Sequence, residues 1–225
     1  TVHIVSGRSR DSLEMIFAKH KTFGLHAEHG LFSRLPGSDH WEERIKLPPD
    51  WFTGVRNIMN KFVESTDGAF LEEKSGSMAF HYRMCEPELA QRRSAALLKA
   101  LSEFSSTANG LSNSSSGSGL SSDREFEVLS GAKVVEVHCT GINKGIVVPD
   151  IMSASPPNSR FVALGDDKTD EFLFRALPKD VGVSIHVGSG RTAAQFRLPH
   201  VAAVRALLKN IATGAPTPKF KKRPL

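Results

Sequence analysis

The sequence predicts an α/β protein: a Rossmann-like core with a parallel sheet, interrupted by an inserted α+β cap. Three observations carry that prediction. Short β-branched runs alternate with helical patterns at both ends of the chain. Between about Leu31 and Lys133 the texture changes to strand, helix, two strands and a second helix. At 225 residues, 40% of them hydrophobic, the chain can bury a core and a smaller cap.

The elements follow in order. "TVHIVSG" is a β-branched run closed by Ser-Gly, and "RDSLEMIFAKH" places Leu13, Ile16 and Phe17 on one side of a helix. "FGLHAEHG" reads as a second strand ending at Gly30, which completes a β-α-β unit and so argues for parallel pairing. "LFSRLPGSDHWEERIKL" is turn-rich. A helix from about Pro49 then sets Trp51, Val55, Ile58, Met59 and Phe62 on one face. "AFLEEKSGSMAFHYR" reads as two strands about the turn "KSGS". "EPELAQRRSAALLKALSEF" is a helix with Pro87 in its first turn and Leu89, Leu97 and Leu101 along it.

The stretch 105–123 is rich in Ser, Gly and Asn and reads as a loop. Strand character resumes in "FEVLSGAKVVEVHC". After it come a helix, "GINKGIVVPDIM", a strand, "RFVALGD", a helix, "KTDEFLFRAL", and a strand, "VGVSIHVG". The final helix "HVAAVRALLKNIA" turns Val201, Val204, Leu207, Leu208 and Ile211 inward. The expected division is a core of 1–30 and 131–213, a cap of 31–130 and a basic tail of 214–225.

Charge and cysteine content narrow the function classes. Lys and Arg number 29 against 24 Asp and Glu, a net charge of +5. The densest basic run is the tail "KFKKRPL", and no aromatic-basic stripe appears inside the domain, so a nucleic-acid partner is not expected. Cys85 and Cys139 stand in no CxxC frame, which fits a reducing compartment and a cytoplasmic protein. No apolar run reaches the ~20 residues that span a bilayer, so no membrane association is expected. The chain starts on Thr1 inside a strand-like run, without an initiator Met, and that start reads as a cut.

Ligands of open parallel α/β sheets bind beyond the carboxyl ends of the strands. Three polar clusters fall there. "SGR" offers Ser6 as a hydrogen-bond donor to a phosphoryl oxygen, although by itself it reads first as a helix N-cap. "GDDKTDE" gathers Asp166, Asp167, Asp170 and Glu171. Capping accounts for one or two of these acids. Adjacent aspartates at a strand end need a cation or a basic group to offset their repulsion, and hard oxygen ligands suit Mg²⁺. "GINKG" sets Lys144 at a helix start, against the helix dipole, where a bound phosphate would account for it. "HAEH" offers His26 and His29, but in a strand the two point to opposite faces, which argues against zinc. "GSGR" at 188–191 is a turn or an anion nest.

In order, "IVSGRSRDSLE", "GLHAEHG", "ESTDGAFLEEKSGSMAFHYR", "VVEVHCTGINKG" and "FVALGDDKTDE" resemble the trehalose-6-phosphate phosphatases of the haloacid dehalogenase superfamily. That family includes the phosphatase-like domains fused to trehalose-6-phosphate synthases. The resemblance implies the haloacid dehalogenase type of Rossmann-like core with an α+β cap. It implies Mg²⁺-dependent hydrolysis of trehalose 6-phosphate through an aspartyl-phosphate. By resemblance, Ser6 and Lys144 hold the phosphoryl group, Asp166 binds Mg²⁺, and Asp167 and Asp170 support it. Arg8 and Asn143 belong to the expected substrate-binding set. Sugar recognition falls to Glu72 and Lys74 of the Glu-x-Lys pattern, with Arg83 and Glu136. A fused or associated synthase domain is the expected protein partner.

One motif of the family is not in this sequence. The Asp-x-Asp-Gly-Thr that carries nucleophile and general acid/base occurs nowhere in the 225 residues. The expectation is therefore a phosphatase-domain fragment, inactive by itself and without its central strand. The alternative is a catalytically inactive regulatory domain of a synthase. Hydrolysis of another sugar phosphate is a weaker third reading, because the cap motifs point to trehalose.

Overall fold

The structure, a computed structural model, describes residues 1–47, 52–111 and 126–215. The expected basic tail from 216, Trp51 and the 112–123 part of the Ser/Gly-rich stretch lie outside these. In chain order the first elements are β1 (Val2–Val5), α1 (Arg10–Phe17), β2 (Phe23–Ala27), β3 (Phe32–Arg34) and β4 (Glu42–Glu43). Then follow α2 (Thr53–Glu64), β5 (Phe70–Glu73), β6 (Ser77–His81), α3 (Pro87–Leu111), β7 (Phe126–Gly131) and β8 (Val134–Cys139). The last are α4 (Val148–Ser153), β9 (Phe161–Gly165), α5 (Asp170–Ala176), β10 (Gly182–Val187), β11 (Phe196–Leu198) and α6 (Val201–Thr213). Single 3-10 turns occupy Glu28–Gly30 and Lys144–Val147.

These elements form two compact units, one of 1–8, 13–42 and 143 onward, the other of 9–12 and 43–142. Both edges of the insert fall about a dozen residues later than the sequence reading put them. Residues 32–34 stay with the first unit because β3 pairs antiparallel with β2, Leu25 opposite Arg34. Residues 134–139 stay with the second because β8 runs between β6 and β7.

In the first unit β1 and β2 pair in parallel from Val2↔Phe23 to Val5↔His26, as a β-α-β unit requires. β9, β10 and β11 form a second parallel ladder, in the order β11-β10-β9. β1 and β9 each end their ladder, and no described strand joins them. Leu13 of α1 is buried, whereas Ile16, expected beside it, is half exposed. Ile185, Leu198 and Leu207 pack together with Val204 against them. Only part of the expected α6 face is inward, since Val201, Leu208 and Ile211 are exposed.

The second unit is an antiparallel sheet, β5-β6-β8-β7, with α2 and α3 against one face. Strand alternation sends Met78, Phe80, Val135 and Val137 to that face, where they meet Val55, Met59, Leu97 and Leu101. Ile58 and Phe62 of the predicted α2 face are partly buried on the same core. α3 begins at a glutamate cap: the Glu86 carboxylate accepts from the amides of Glu88 (3.0 Å) and Leu89 (2.7 Å). It continues to Leu111, so 105–111, read as loop, are helical. Extending a helix already nucleated is easy even for serines, and Ser106 Oγ donates back to Ser102 O at 2.9 Å. Among the described residues no helix is long and apolar enough to cross a membrane.

Candidate active site

β9 ends at Gly165, and the chain turns through Asp166 and Asp167 into α5. Asp170, in the first turn of α5, folds its carboxylate back over the strand end. Its Oδ2 accepts from the amides of Asp166 and Asp167, each at 2.9 Å. Its Oδ1 takes the ammonium of Lys144 at 2.7 Å. Both partners are buried, which makes the ion pair and its added hydrogen bonds mutually dependent. Gly165 makes the arrangement possible: a Cβ there would stand 2.3 Å from the Asp170 carboxyl carbon.

The four acids therefore divide by role. Asp170 is engaged on both oxygens and shapes the turn. Asp166 and Asp167 are exposed. Asp167 Oδ1 accepts from the Lys168 amide at 2.6 Å, while among the described residues no hydrogen bond or ion pair holds the Asp166 carboxylate. Glu171 accepts from the Ala193 amide at 2.6 Å and faces His186 Nδ1 at 4.0 Å, which anchors the following loop. In that loop Gly188 and Gly190 have positive φ, and Arg197 donates to both their carbonyls. The "GSGR" segment is thus a clamped turn.

Lys144 does not begin a long helix. It opens the 3-10 turn Lys144–Val147, which leads into the short α4. Asn143 caps that turn, its Oδ1 accepting from Gly145 N at 3.0 Å. Gly145 lies so close to α5 that a Cβ would meet Phe172 O at 2.7 Å. The turn is seated on α5, and this seating carries Lys144 to Asp170. The lysine disfavoured at a helix start is accounted for by a buried carboxylate.

Ser6 and Arg8 follow β1. Ser6 N donates to His26 O at 2.9 Å, and Ser6 O accepts from His29 N at 2.9 Å. Glu28 N donates to Arg8 O at 3.0 Å, and Arg8 N donates to Ser6 Oγ at 3.2 Å. The loop is thereby strapped to the turn Glu28–Gly30. This turn replaces the predicted strand end: Glu28 (φ 48°), His29 (φ 59°) and Gly30 (φ 97°) are left-handed. Two non-glycine residues in succession there signal backbone strain of the kind found at functional sites. The His29 ring covers Gly7, where a Cβ would stand 2.5 Å from Nε2. Gly30 abuts Ile146 and Val147, just after Lys144. His26 is a core residue, bonded to His3 at 3.0 Å and Ser33 Oγ at 2.8 Å.

The expected sugar-binding residues lie in the second unit. Pairing sets Glu72 opposite Ala79 and Ala79 opposite Glu136, so both carboxylates lie in one row on the face away from α2 and α3. Glu72 Oε1 is 3.2 Å from Lys74 Nζ, and its Oε2 is 2.9 Å from His81 Nε2. Burial opposes its charged form, but His81 and Lys74 outweigh that and hold the Glu72 carboxyl below the usual glutamate range. Glu136 Oε1 lies 3.2 Å from His138 Nε2. Arg83 falls beyond β6 and donates to Ala132 O at 3.3 Å, at the β7–β8 turn. Sequence reasoning missed His81, although the "KSGS" turn fixes the register that brings it to Glu72.

Comparisons with known proteins agree with this organisation. The profile of a family described as trehalose-phosphatase matches residues 1–202. The bifunctional trehalose-6-phosphate synthase/phosphatase of Thermoproteus tenax is 36% identical over 210 residues, which are 93% of this chain and 26% of that protein. The chain thus spans about a quarter of that relative's length. The structure of Aspergillus fumigatus trehalose-6-phosphate phosphatase matches with a TM-score of 0.62 at 30% identity, over 95% of this chain and 78% of that one. The C-terminal domain of C. albicans trehalose-6-phosphate phosphatase shares the fold, with a TM-score of 0.75 at 24% identity over 96% of this chain and 80% of that one. With the family profile matching residues 1–202, nearly the whole sequence, the chain belongs to the trehalose-phosphatase family.

Proposed function

We propose that this chain is the greater part of a phosphatase domain that hydrolyses trehalose 6-phosphate to trehalose and phosphate, in trehalose biosynthesis in the cytoplasm. One observation within this family carries the reading. The buried Lys144–Asp170 pair, with Asp170 also holding two backbone amides, presents Asp166 and Asp167 outward at the end of a parallel strand.

In this reading Lys144 has a second task. Its ammonium has three donors, and Asp170 uses one, which leaves two for phosphoryl oxygens. Ser6 Oγ supplies a further hydrogen bond to the phosphoryl group, with Arg8 beside it. Asp166 and Asp167 fit Mg²⁺: they are exposed, hard oxygen donors, and Mg²⁺ takes few protein carboxylates. When bound, the ion neutralises charge on the phosphoryl group, which is the main demand of phosphoryl transfer. Asp170 acts by fixing Lys144 and the Asp166–Asp167 backbone. Asn143 shapes the Lys144 turn. In the second unit Glu72, Lys74, Arg83 and Glu136 recognise the sugar.

The nucleophile motif is not among the 225 residues, so the chain by itself is expected to show no turnover and the activity belongs to a longer protein. A synthase domain, fused or associated, is the proposed partner, as the name of the Thermoproteus relative suggests. The second reading is a catalytically inactive regulatory phosphatase-like domain of a synthase. Phosphate release from trehalose 6-phosphate by the full-length protein, with Mg²⁺ and with EDTA, separates the two. No Mg²⁺-dependent release defeats the phosphatase and leaves the regulatory domain.

A further inference from the structure

The second unit's sheet has one apolar face and one polar face. On the polar face two carboxylates stand in line across three strands, Glu72 on β5 and Glu136 on β8, each paired with Ala79 of the strand between them. Adjacent strands lie about 4.8 Å apart, so the two backbones are separated by about 10 Å.

Glu72 is held from two sides on this face. His81 Nε2 lies 2.9 Å from its Oε2, and because a carboxylate only accepts, Nε2 carries the proton. The imidazole is itself fixed. It stacks on Phe70, its partner across the ladder, with ring centroids 4.7 Å apart and planes 13° from parallel. Lys74 holds Oε1 from the other side at 3.2 Å. Each Glu72 oxygen keeps a lone pair for a ligand hydroxyl. A carboxylate immobilised on both sides loses little freedom when it accepts such bonds.

We propose that His81, stacked on Phe70, is a positioning residue that fixes Glu72 for recognition of the sugar hydroxyls on this face. The proposal rests on the sugar-phosphate reading of the site and adds a residue to it.

The test uses the full-length protein. His81→Ala is expected to raise KM for trehalose 6-phosphate about tenfold, the scale of one hydrogen bond to a charged group, with the loss in KM rather than kcat. His81→Gln, which keeps an N–H donor, recovers most of it. In a Glu72→Gln background His81→Ala adds less than twofold, because the two act as one unit. Phe70→Leu, at an exposed position, raises KM two- to threefold and serves if the alanine variant does not fold. An unchanged KM in His81→Ala, or equal losses in both backgrounds, overturns the proposal. If the wild-type protein releases no phosphate, the proposed activity fails, and calorimetric binding of trehalose then carries the test. Weaker binding by His81→Ala supports the positioning role. Equal affinities, or no binding by the wild type, overturn it.

Discussion

Lys144 donates to Asp170 across 2.7 Å, and neither side chain is more than a tenth exposed. This pair joins the turn after Asn143 to the first turn of α5, and through Asp170 it sets the backbone of Asp166 and Asp167. Removing one partner strands a buried charge. Lys144→Met should therefore lower the unfolding free energy by about 3–5 kcal/mol, whereas Lys144→Met with Asp170→Leu should lose less than the two single losses together. Urea unfolding of the three variants measures both quantities. Independent, additive losses would show that the pair is not a unit.

Gly165 is required for space rather than for backbone freedom. A Cβ there overlaps the Asp170 carboxyl, with carboxyl atoms at 2.3 and 2.4 Å. Gly165→Ala should cost about 1–3 kcal/mol and displace Asp170 from Lys144. A lowered urea midpoint, with a shifted Asp170 carboxyl resonance in NMR, is the expected outcome.

The start of α3 should titrate. Backbone amides of Glu88 and Leu89 hold the Glu86 carboxyl below the usual glutamate range. A depressed folded-state pKa means the contribution is complete above the unfolded value, about 4.3, and is lost as pH falls through the folded value. Glu86→Gln should flatten the acid limb of the stability profile below about pH 4.3. Melting temperatures of both proteins from pH 3 to pH 7 check this, and parallel profiles would contradict it.

Cys85 should be inert. Burial, and then the charge of Asp67, raises its thiol pKa, so the reactive thiolate is scarce. Mass spectrometry after iodoacetamide at pH 8 should find Cys85 unlabelled in the folded protein and labelled in urea. Rapid labelling in the folded state would contradict the placement of Cys85 in the core of the second unit.

What the sequence disclosed, and what it concealed, follows from the range of the interactions. The strand-end acids, Ser6 and Lys144 were visible because each cluster is continuous in the chain and bounded by glycine. The buried pairing of Lys144 with Asp170 was not, because the two lie 26 residues apart and meet only once the 3-10 turn sits on α5. The left-handed Glu28 and His29 were read as strand because nothing in their side chains marks a positive φ. Tertiary contact overrides propensity there, the two amides reaching back to Arg8 and Ser6. On α6 the apolar stripe was wider than the surface it covers, so Val201, Leu208 and Ile211 remain exposed. His81 was legible in principle: pairing about Ser75–Gly76 puts it opposite Phe70 and diagonal to Glu72.

The most direct measurement is phosphate release from trehalose 6-phosphate, run in parallel on three proteins: the full-length protein, its Asp166→Asn variant and the 225-residue chain. Release by the full-length protein that stops with EDTA, falls at least a hundredfold in Asp166→Asn and is absent from the 225-residue chain is the predicted result. Undiminished release by Asp166→Asn, or turnover by the 225-residue chain, would contradict the assignment of the metal carboxylate and the argument from the missing nucleophile.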